Sequence, residues 1–261
     1  MNLLLVEAAE LQGDVVALDD RRADHLRRVL GVRIGQAVRA GVIGGGVGTA
    51  EVIADTGTAL SLRLAIVEPA PPQLEVELVL AVPRPKVVSR VIEACAAFGV
   101  RRIDLTNAWR VDKSYLASPR LAPAALAHAA RLGAEQGATT QLPELCVHRR
   151  LMALLDARFA GRGDATRLVA HPGAPTNARP GRAGPRSAAE GRRGVMIEQV
   201  ARGGPVVLAI GPEGGWIERE LDTLIARGFQ PVSLGSPILR VETAVAAALA
   251  QLTLLQRLAE R

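Results

Sequence analysis

Through residues 1 to 70 hydrophobic and polar positions alternate in short runs broken by turn residues. Asp14 to Leu18, Gln36 to Val42, Thr49 to Ala54 and Leu60 to Val67 are predicted strands, with Gly44-Gly45-Gly46 between two of them. A period of two puts successive side chains on opposite faces, the pattern of a half-buried strand. One helix interrupts the series. In Arg22 to Leu30, the residues Ala23, Leu26, Val29 and Leu30 share a face, and Asp24 and Arg28 stand four apart, close enough to pair. The expected unit is a small β-rich barrel carrying one helix.

Pro69-Ala70-Pro71-Pro72 is a stiff linker, after which strand and helix alternate. Glu75 to Val82, Arg101 to Thr106, Glu144 to Val147 and Arg167 to His171 read as strands; Val87 to Phe98, Pro123 to Gly137 and Leu151 to Phe159 read as helices. Repeated βα units predict an α/β fold with a mostly parallel sheet and helices on both faces. The stretch from Pro172 to Pro205 is rich in Gly, Pro, Ala and Arg, with six Arg against Glu190 and Glu198. It is expected to be a flexible insertion with one short helix at Val195 to Val200. The domains are then residues 1–70 and 74–261, the second interrupted at about 174–204.

In the last quarter, Val206 to Ile210 and Phe229 to Leu234 each run into a Gly/Pro-rich loop that feeds a helical pattern. Open α/β sheets bind ligands outside the carboxyl ends of their strands. The candidate site is therefore Gly211-Pro212-Glu213-Gly214-Gly215 together with the loop from Leu234 to Arg240. The final helix, Val241 to Leu258, is apolar nearly all round, its polar Gln251, Gln256 and Arg257 arriving late. Such a helix needs burial on more than one side, which predicts a subunit interface as well as a core contact.

Composition narrows the class. Apolar content of 49% with 22% charged residues is that of a folded chain. Two cysteines, Cys95 and Cys146, without a CxxC pair give no zinc site or disulfide scaffold, and no metal is expected. The start MNLLLVEAAE lacks the basic segment of a signal peptide and no apolar run reaches membrane-spanning length, so a cytoplasmic protein is expected. Net charge is +6, from 30 Arg but only Lys86 and Lys113. The imbalance reads as codon usage, and the positive sign suits a polyanionic partner. With aromatics at 2%, stacking of bases on aromatic platforms is not expected to be the main binding device.

Residues 1 to 72 hold seven Arg against nine acids, yet Arg21, Arg22, Arg27, Arg28, Arg33 and Arg39 lie within nineteen residues containing one acid, Asp24. Beside His25 this cluster could follow a phosphate backbone, or it is an ordinary solvated helix face. In the second domain, no Gly-Lys-Ser/Thr and no GxGxxG occurs, so nucleoside triphosphate and dinucleotide binding lack support. Arg240 immediately precedes a helix, where the dipole disfavours a cation by about 0.3–1 kcal/mol, while Glu242 falls where a carboxylate is favoured. Val241 is also a poor cap. Broken local rules at a helix start mark a functional constraint; an ion pair of Arg240 with Glu213 or Glu242 that only joins the two loops is the alternative.

GPEGG followed some twenty residues later by LGSPILRVETA resembles the SPOUT-class RNA methyltransferases, and within them the ribosomal RNA small subunit methyltransferase E family, which methylates N3 of a uracil in 16S rRNA. The likeness runs along nearly the whole chain, through HLRRVLGVRIGQ (His25 to Gln36), the Lys86 region up to Phe98-Gly99-Val100, NAWRVDKSY (Asn107 to Tyr115), Glu135-Gln136, Pro143-Glu144 and His171-Pro172. It implies a PUA-like RNA-binding barrel at the N-terminus and a C-terminal parallel sheet with a trefoil knot that binds S-adenosylmethionine. It also implies a homodimer and a small-subunit rRNA or 30S substrate. Carried over by position, the cofactor pocket is Leu208, Ile210, Gly211, Pro212, Glu213, Gly214, Gly215, Leu234, Gly235, Ile238, Leu239 and Arg240, with His171 and Pro172 adjoining. Arg240 would donate to a uracil oxygen, with Glu242, Glu213 or His25 as base; Arg21, Arg22, His25, Arg27, Arg28, Arg110 and Lys113 would meet RNA. Two positions depart from the family: Pro237 stands for an Arg, and Gly137-Ala138-Thr139-Thr140 replaces a basic residue after Glu135-Gln136, removing positive charge from the side expected to face RNA. A non-catalytic RNA-binding paralogue, or an enzyme of the same class acting on another rRNA or tRNA site, are the alternatives.

Overall fold

The computed structural model describes residues 1–161, 163–171, 195–201, 203–235 and 238–259. Pro172, Pro237 and most of the expected insertion lie outside the described residues. Six strands, β1 (Leu4–Val6), β2 (Leu11–Gln12), β3 (Val15–Leu18), β4 (Ala37–Val42), β5 (Val47–Asp55) and β6 (Leu60–Glu68), form a first sheet in the order β1-β4-β5-β6-β3-β2. All its pairings are antiparallel except β1 with β4. Helix α1 (Arg21–Arg28) starts where the Asp20 carboxylate accepts the Arg22 N–H at 2.8 Å, a bond that satisfies one orphan donor of the first turn. Ala23 and Leu26 then drop into the core beside Leu18 and Leu60.

β1 was not foreseen because both its faces are apolar. Leu4 and Val6 enter the first-sheet core, whereas Leu3 and Leu5 pack with Val47 against Ala134 of the next unit. A strand buried on both sides shows no alternation.

The second sheet contains β7 (Leu74–Ala81), β8 (Val100–Thr106), β9 (Glu144–His148), β10 (Thr166–Ala170), β11 (Val195–Met196), β12 (Val206–Ile210) and β13 (Gln230–Ser233). Their order is β11-β13-β10-β12-β7-β8-β9, and every pairing is parallel. The helix expected at Val195 to Val200 is corrected: Val195–Met196 is an edge strand and Ile197–Gln199 a single 3-10 turn. Six residues cannot amortise helix nucleation, and burying Ile197 fixes the turn instead.

Between strands run α2 (Pro85–Ala97), α3 (Pro123–Gly137), α4 (Leu151–Phe159), α5 (Glu218–Ala226) and α6 (Val241–Ala259). Helices α2 and α3 approach so closely that a Cβ on Gly133 would lie 2.1 Å from the Glu93 carbonyl oxygen, and one on Gly137 2.3 Å from that of Ala97. Helix α4 covers the face that carries Glu77 and Asp104, since Arg158 donates to both carboxylates.

The sheets are stitched together through the end of α3. The Asn2 and Leu3 N–H groups both donate to the Glu135 carbonyl at 3.0 Å, Arg21 pairs with the Glu135 carboxylate at 2.6 Å, and the Thr140 hydroxyl donates to Gly45 O at 2.6 Å. Thr139 and Thr140 are buried in this seam, which corrects the placement of that stretch on an RNA-facing side. Helix α6 buries one stripe, Val241, Val245, Ala248, Leu249 and Leu252, while Leu254 and Leu258 are 55% and 54% exposed. Burial on more than one side is therefore not met within the chain. Among the described residues no helix is long and apolar enough to cross a membrane.

Candidate active site

Parallel pairing brings the carboxyl ends of β7, β8, β10, β12 and β13 to one edge of the sheet, so the loops that follow them converge. Between three of these loops and the first turn of α6 opens a cleft of about 270 Å³. Ile210, Gly211, Pro212, Glu213, Gly214 and Gly215 line it after β12; Leu234, Gly235, Ile238 and Leu239 line it after β13; His171 lines it after β10. Leu208 does not. It is fully buried in mid-strand, pointing into the core, a correction that follows from the residue sitting two positions before the strand end.

Sequence reasoning missed Trp216, Ala170, Val232, Ser233, Val241 and Ala244, which complete the wall. Trp216 is 4% exposed, and its Nε1 has no hydrogen-bond partner among the described residues. That atom is closed to solvent and packs behind the glycine turn. A Cβ on Gly211 would lie 3.2 Å from that nitrogen and from the Trp216 backbone nitrogen. Glycine is needed there because the indole stacks directly over the turn. Gly215, at φ +73°, closes the turn through its N–H to Pro212 O at 2.7 Å, a conformation that favours glycine.

The charged candidates separate. Arg240 is exposed, and its carbonyl accepts the Ala244 N–H at 2.7 Å, making it the residue from which α6 starts. It makes no ion pair with Glu213 or Glu242, so the loop-joining alternative is removed. Glu213 is engaged elsewhere: its Oε1 accepts the Arg84 N–H at 3.0 Å, tying the glycine loop to the entry of α2. Glu242 is half-buried in the first turn of α6. Arg110 donates to the Gly214 carbonyl, which places it on the rim of the cleft. Its neighbour Trp109 is held by Glu220, a buried carboxylate that accepts the Trp109 N–H at 2.7 Å and the Ile217 N–H at 3.1 Å. Glu220 could have been found as the third residue of α5, where an acidic side chain closes a capping box.

The α1 arginines are largely committed within the protein. Arg22, read as an RNA contact, is only 4% exposed; it bonds Glu10 at 2.5 Å, Asp20 at 2.8 Å and Leu5 O at 2.9 Å, so that reading is corrected. Arg27 pairs with Asp55 at 2.7 Å and Arg21 with Glu135. Arg28 is 80% exposed and His25 half-buried. Lys113 lies at the start of a 3-10 turn beyond Arg110.

Distant from the cleft, Asp104 is fully buried on β8 and accepts from Arg102 at 3.0 Å, His148 at 2.7 Å and Arg158. Burial alone would raise its pKa. The hydrogen bonds from Arg102 and His148, with Arg158 adjacent, outweigh that and hold it below the ordinary carboxylate value. Cys146 and His148 bring further metal-type donor atoms within 4.8 Å, but both Asp104 oxygens are already taken by guanidinium groups.

A family model described as RNA methyltransferase domain matches residues 70–253. The chain belongs to that family. Among curated relatives, this RNA methyltransferase is 29% identical to ribosomal RNA small subunit methyltransferase E of Treponema pallidum, over 96% of this chain and 90% of the relative. It is 24% identical to ribosomal RNA small subunit methyltransferase E 1 of Borreliella burgdorferi, over 95% of each. Its fold is similar to a Neisseria gonorrhoeae ribosomal RNA small subunit methyltransferase E solved with S-adenosyl methionine, with TM-score 0.75, 22% identity and 98% of each chain covered.

Proposed function

We propose that the protein transfers the methyl group of S-adenosylmethionine to N3 of a uridine in 16S ribosomal RNA. The observation that carries this reading is the glycine-walled cleft outside the carboxyl ends of β10, β12 and β13, in a chain of the RNA methyltransferase family. The names of its full-length relatives supply the small-subunit RNA, and the resemblance of its motifs supplies N3. An open cleft also speaks against a paralogue that has lost its cofactor.

The residues present fit the cofactor. Backbone groups of Gly211, Pro212, Gly214 and Gly215 can approach it closely, Leu234, Gly235, Ile238 and Leu239 offer an apolar slot, and His171 adjoins. When bound, S-adenosylmethionine supplies an electrophilic methyl carbon. The protein's own part is to align the uracil and to remove its imide proton, and positioning of this kind accounts for much of such a rate. Arg240, exposed and without a carboxylate partner among the described residues, donates to a uracil oxygen as negative charge develops on the imide. Glu242, in the first turn of α6, takes the proton from N3, since Glu213 is engaged by the Arg84 N–H. Arg110, Lys113, Arg28 and His25 face the RNA, and N3 must be unpaired to be reached.

In the same reading residues 1–70 form a PUA-like RNA-binding domain, residues 74–261 a SPOUT domain with a trefoil knot, and the uncovered Leu254/Leu258 face of α6 a homodimer contact. An enzyme acting on 30S particles would work in the cytoplasm. The deciding experiment is methylation of 30S particles from a strain lacking the gene, with nucleosides analysed by mass spectrometry. 3-Methyluridine in 16S rRNA is the expected product; a different modified nucleoside, or none despite calorimetric binding of S-adenosylmethionine, overturns the assignment.

A further inference from the structure

The chain has two tryptophans, and the structure treats them oppositely. Trp216 is 4% exposed inside the cleft wall, whereas Trp109 is 79% exposed. An exposed indole presents a large, flat apolar face with a π surface on which another ring can stack. Here its backbone is also fixed. The Trp109 N–H is bound by the buried Glu220 carboxylate at the start of α5, and the next residue, Arg110, reaches the Gly214 carbonyl in the cleft loop. The loop after β8 thus lies across the glycine loop, holding the indole at the rim of the site.

The surroundings are cationic. Arg110 and Lys113 follow Trp109 in sequence, and the loop after β7, joined to the same glycine turn through Glu213, carries Arg84, with Lys86 in the first turn of α2. Of the nearby acids, Asp112 accepts from the Ser114 N–H and hydroxyl and Glu213 from the Arg84 backbone N–H, Glu220 is buried, and Glu218 beside it is exposed at the start of α5. A fixed aromatic face among cations matches an unpaired nucleobase with its phosphates, because stacking holds a base of any identity and the cations hold its backbone.

We infer that Trp109 is the stacking platform for an unpaired base of the RNA next to the methylated nucleotide, and that Arg84, Lys86, Arg110 and Lys113 track the adjoining phosphates. This rests on the RNA methyltransferase reading of the cleft and adds where the RNA lies. Trp109 is a positioning residue; it touches no reacting atom.

The test compares wild type, Trp109→Phe and Trp109→Ala, using a uridine-containing single-stranded RNA of about a dozen nucleotides, within the span such sites cover. RNA should quench wild-type tryptophan emission and leave that of Trp109→Phe, which retains only Trp216, unchanged; inorganic polyphosphate should quench neither. RNA Kd should rise at least tenfold in Trp109→Ala and less than threefold in Trp109→Phe, with calorimetric affinity for S-adenosylmethionine equal in all three. In turnover, the RNA KM should rise more than kcat falls. Equal quenching in wild type and Trp109→Phe, RNA affinity of Trp109→Ala within twofold of wild type, or a changed oligomeric state with RNA binding intact would overturn the inference. If wild type binds RNA but forms no methylated nucleoside, the proposed reaction fails, while quenching and affinity still decide the role of Trp109.

Discussion

Arg240 shows how a single position can break a local preference and keep its meaning. A cation at a helix start is disfavoured by the dipole, and Arg240 has no carboxylate partner among the described residues to offset this. Its guanidinium is therefore available to a ligand. Arg240→Ala should lower single-turnover methylation by roughly 100-fold or more, the loss typical of one oxyanion donor, while calorimetry finds cofactor affinity unchanged; a rate within threefold of wild type removes the proposed role. Asp104 illustrates the opposite use of charge. Its oxygens are saturated by Arg102, His148 and Arg158, so Asp104→Asn should destabilise the protein by about 3 kcal/mol at pH 7, the cost of breaking a buried pair. Because the folded-state pKa is depressed, this stabilisation is complete above the unfolded value of about 3.9 and disappears as pH falls through the lower, folded one. Denaturant midpoints of the two proteins should converge in acid and differ at neutral pH.

Helices and strands were legible where one face differs from the other. The α3 and α4 spans match the pattern read from sequence, α3 through the proline at its first position and α4 through Leu151, Leu154, Leu155 and Phe159, which it buries. β1 and the Val195–Met196 strand were missed, the first because both its faces are buried and the second because two residues carry no period. Gly133 was invisible as a constraint, since a glycine in a helix reads as a weakness of about 1 kcal/mol against alanine. The structure reverses that sign. A Cβ at 2.1 Å from the Glu93 carbonyl meets backbone that cannot rotate away, and overpacking of this kind costs about 1–3 kcal/mol or more. Gly133→Ala should therefore lower the melting temperature although it improves helix propensity, and thermal unfolding reads the sign directly.

Across the molecule the two sheets are not hung on a loose tether. Leu3, Leu5 and Val47 pack on Ala134, the Glu135 backbone caps Asn2 and Leu3, and Arg21 and Arg131 reach across to Glu135 and Glu7. Shared apolar burial couples the units, so thermal unfolding should be one transition. Far-UV circular dichroism, which senses both sheets, and tryptophan emission, which senses only the second, should give the same midpoint. Two midpoints separated by several degrees would mean that this seam is too weak to couple them. The seam also explains why the arginines around α1 mislead: several that look like an RNA surface in one dimension are the bonds that hold the two units and the first sheet together.

Hydrophobic period, glycine turns and motif order were enough to define the βα alternation, the two converging loops and the methyltransferase family, because these depend on contacts near in sequence or on backbone conformations that few residues can adopt. Which charges stay free depended on partners more than a hundred residues away, as for Arg21 with Glu135, Glu213 with Arg84 and Trp109 with Glu220. Those pairings arise only when parallel strands deliver distant loops to one edge. For that reason Trp216 and Trp109, alike in the sequence, become a buried wall of the cleft and an exposed platform at its rim.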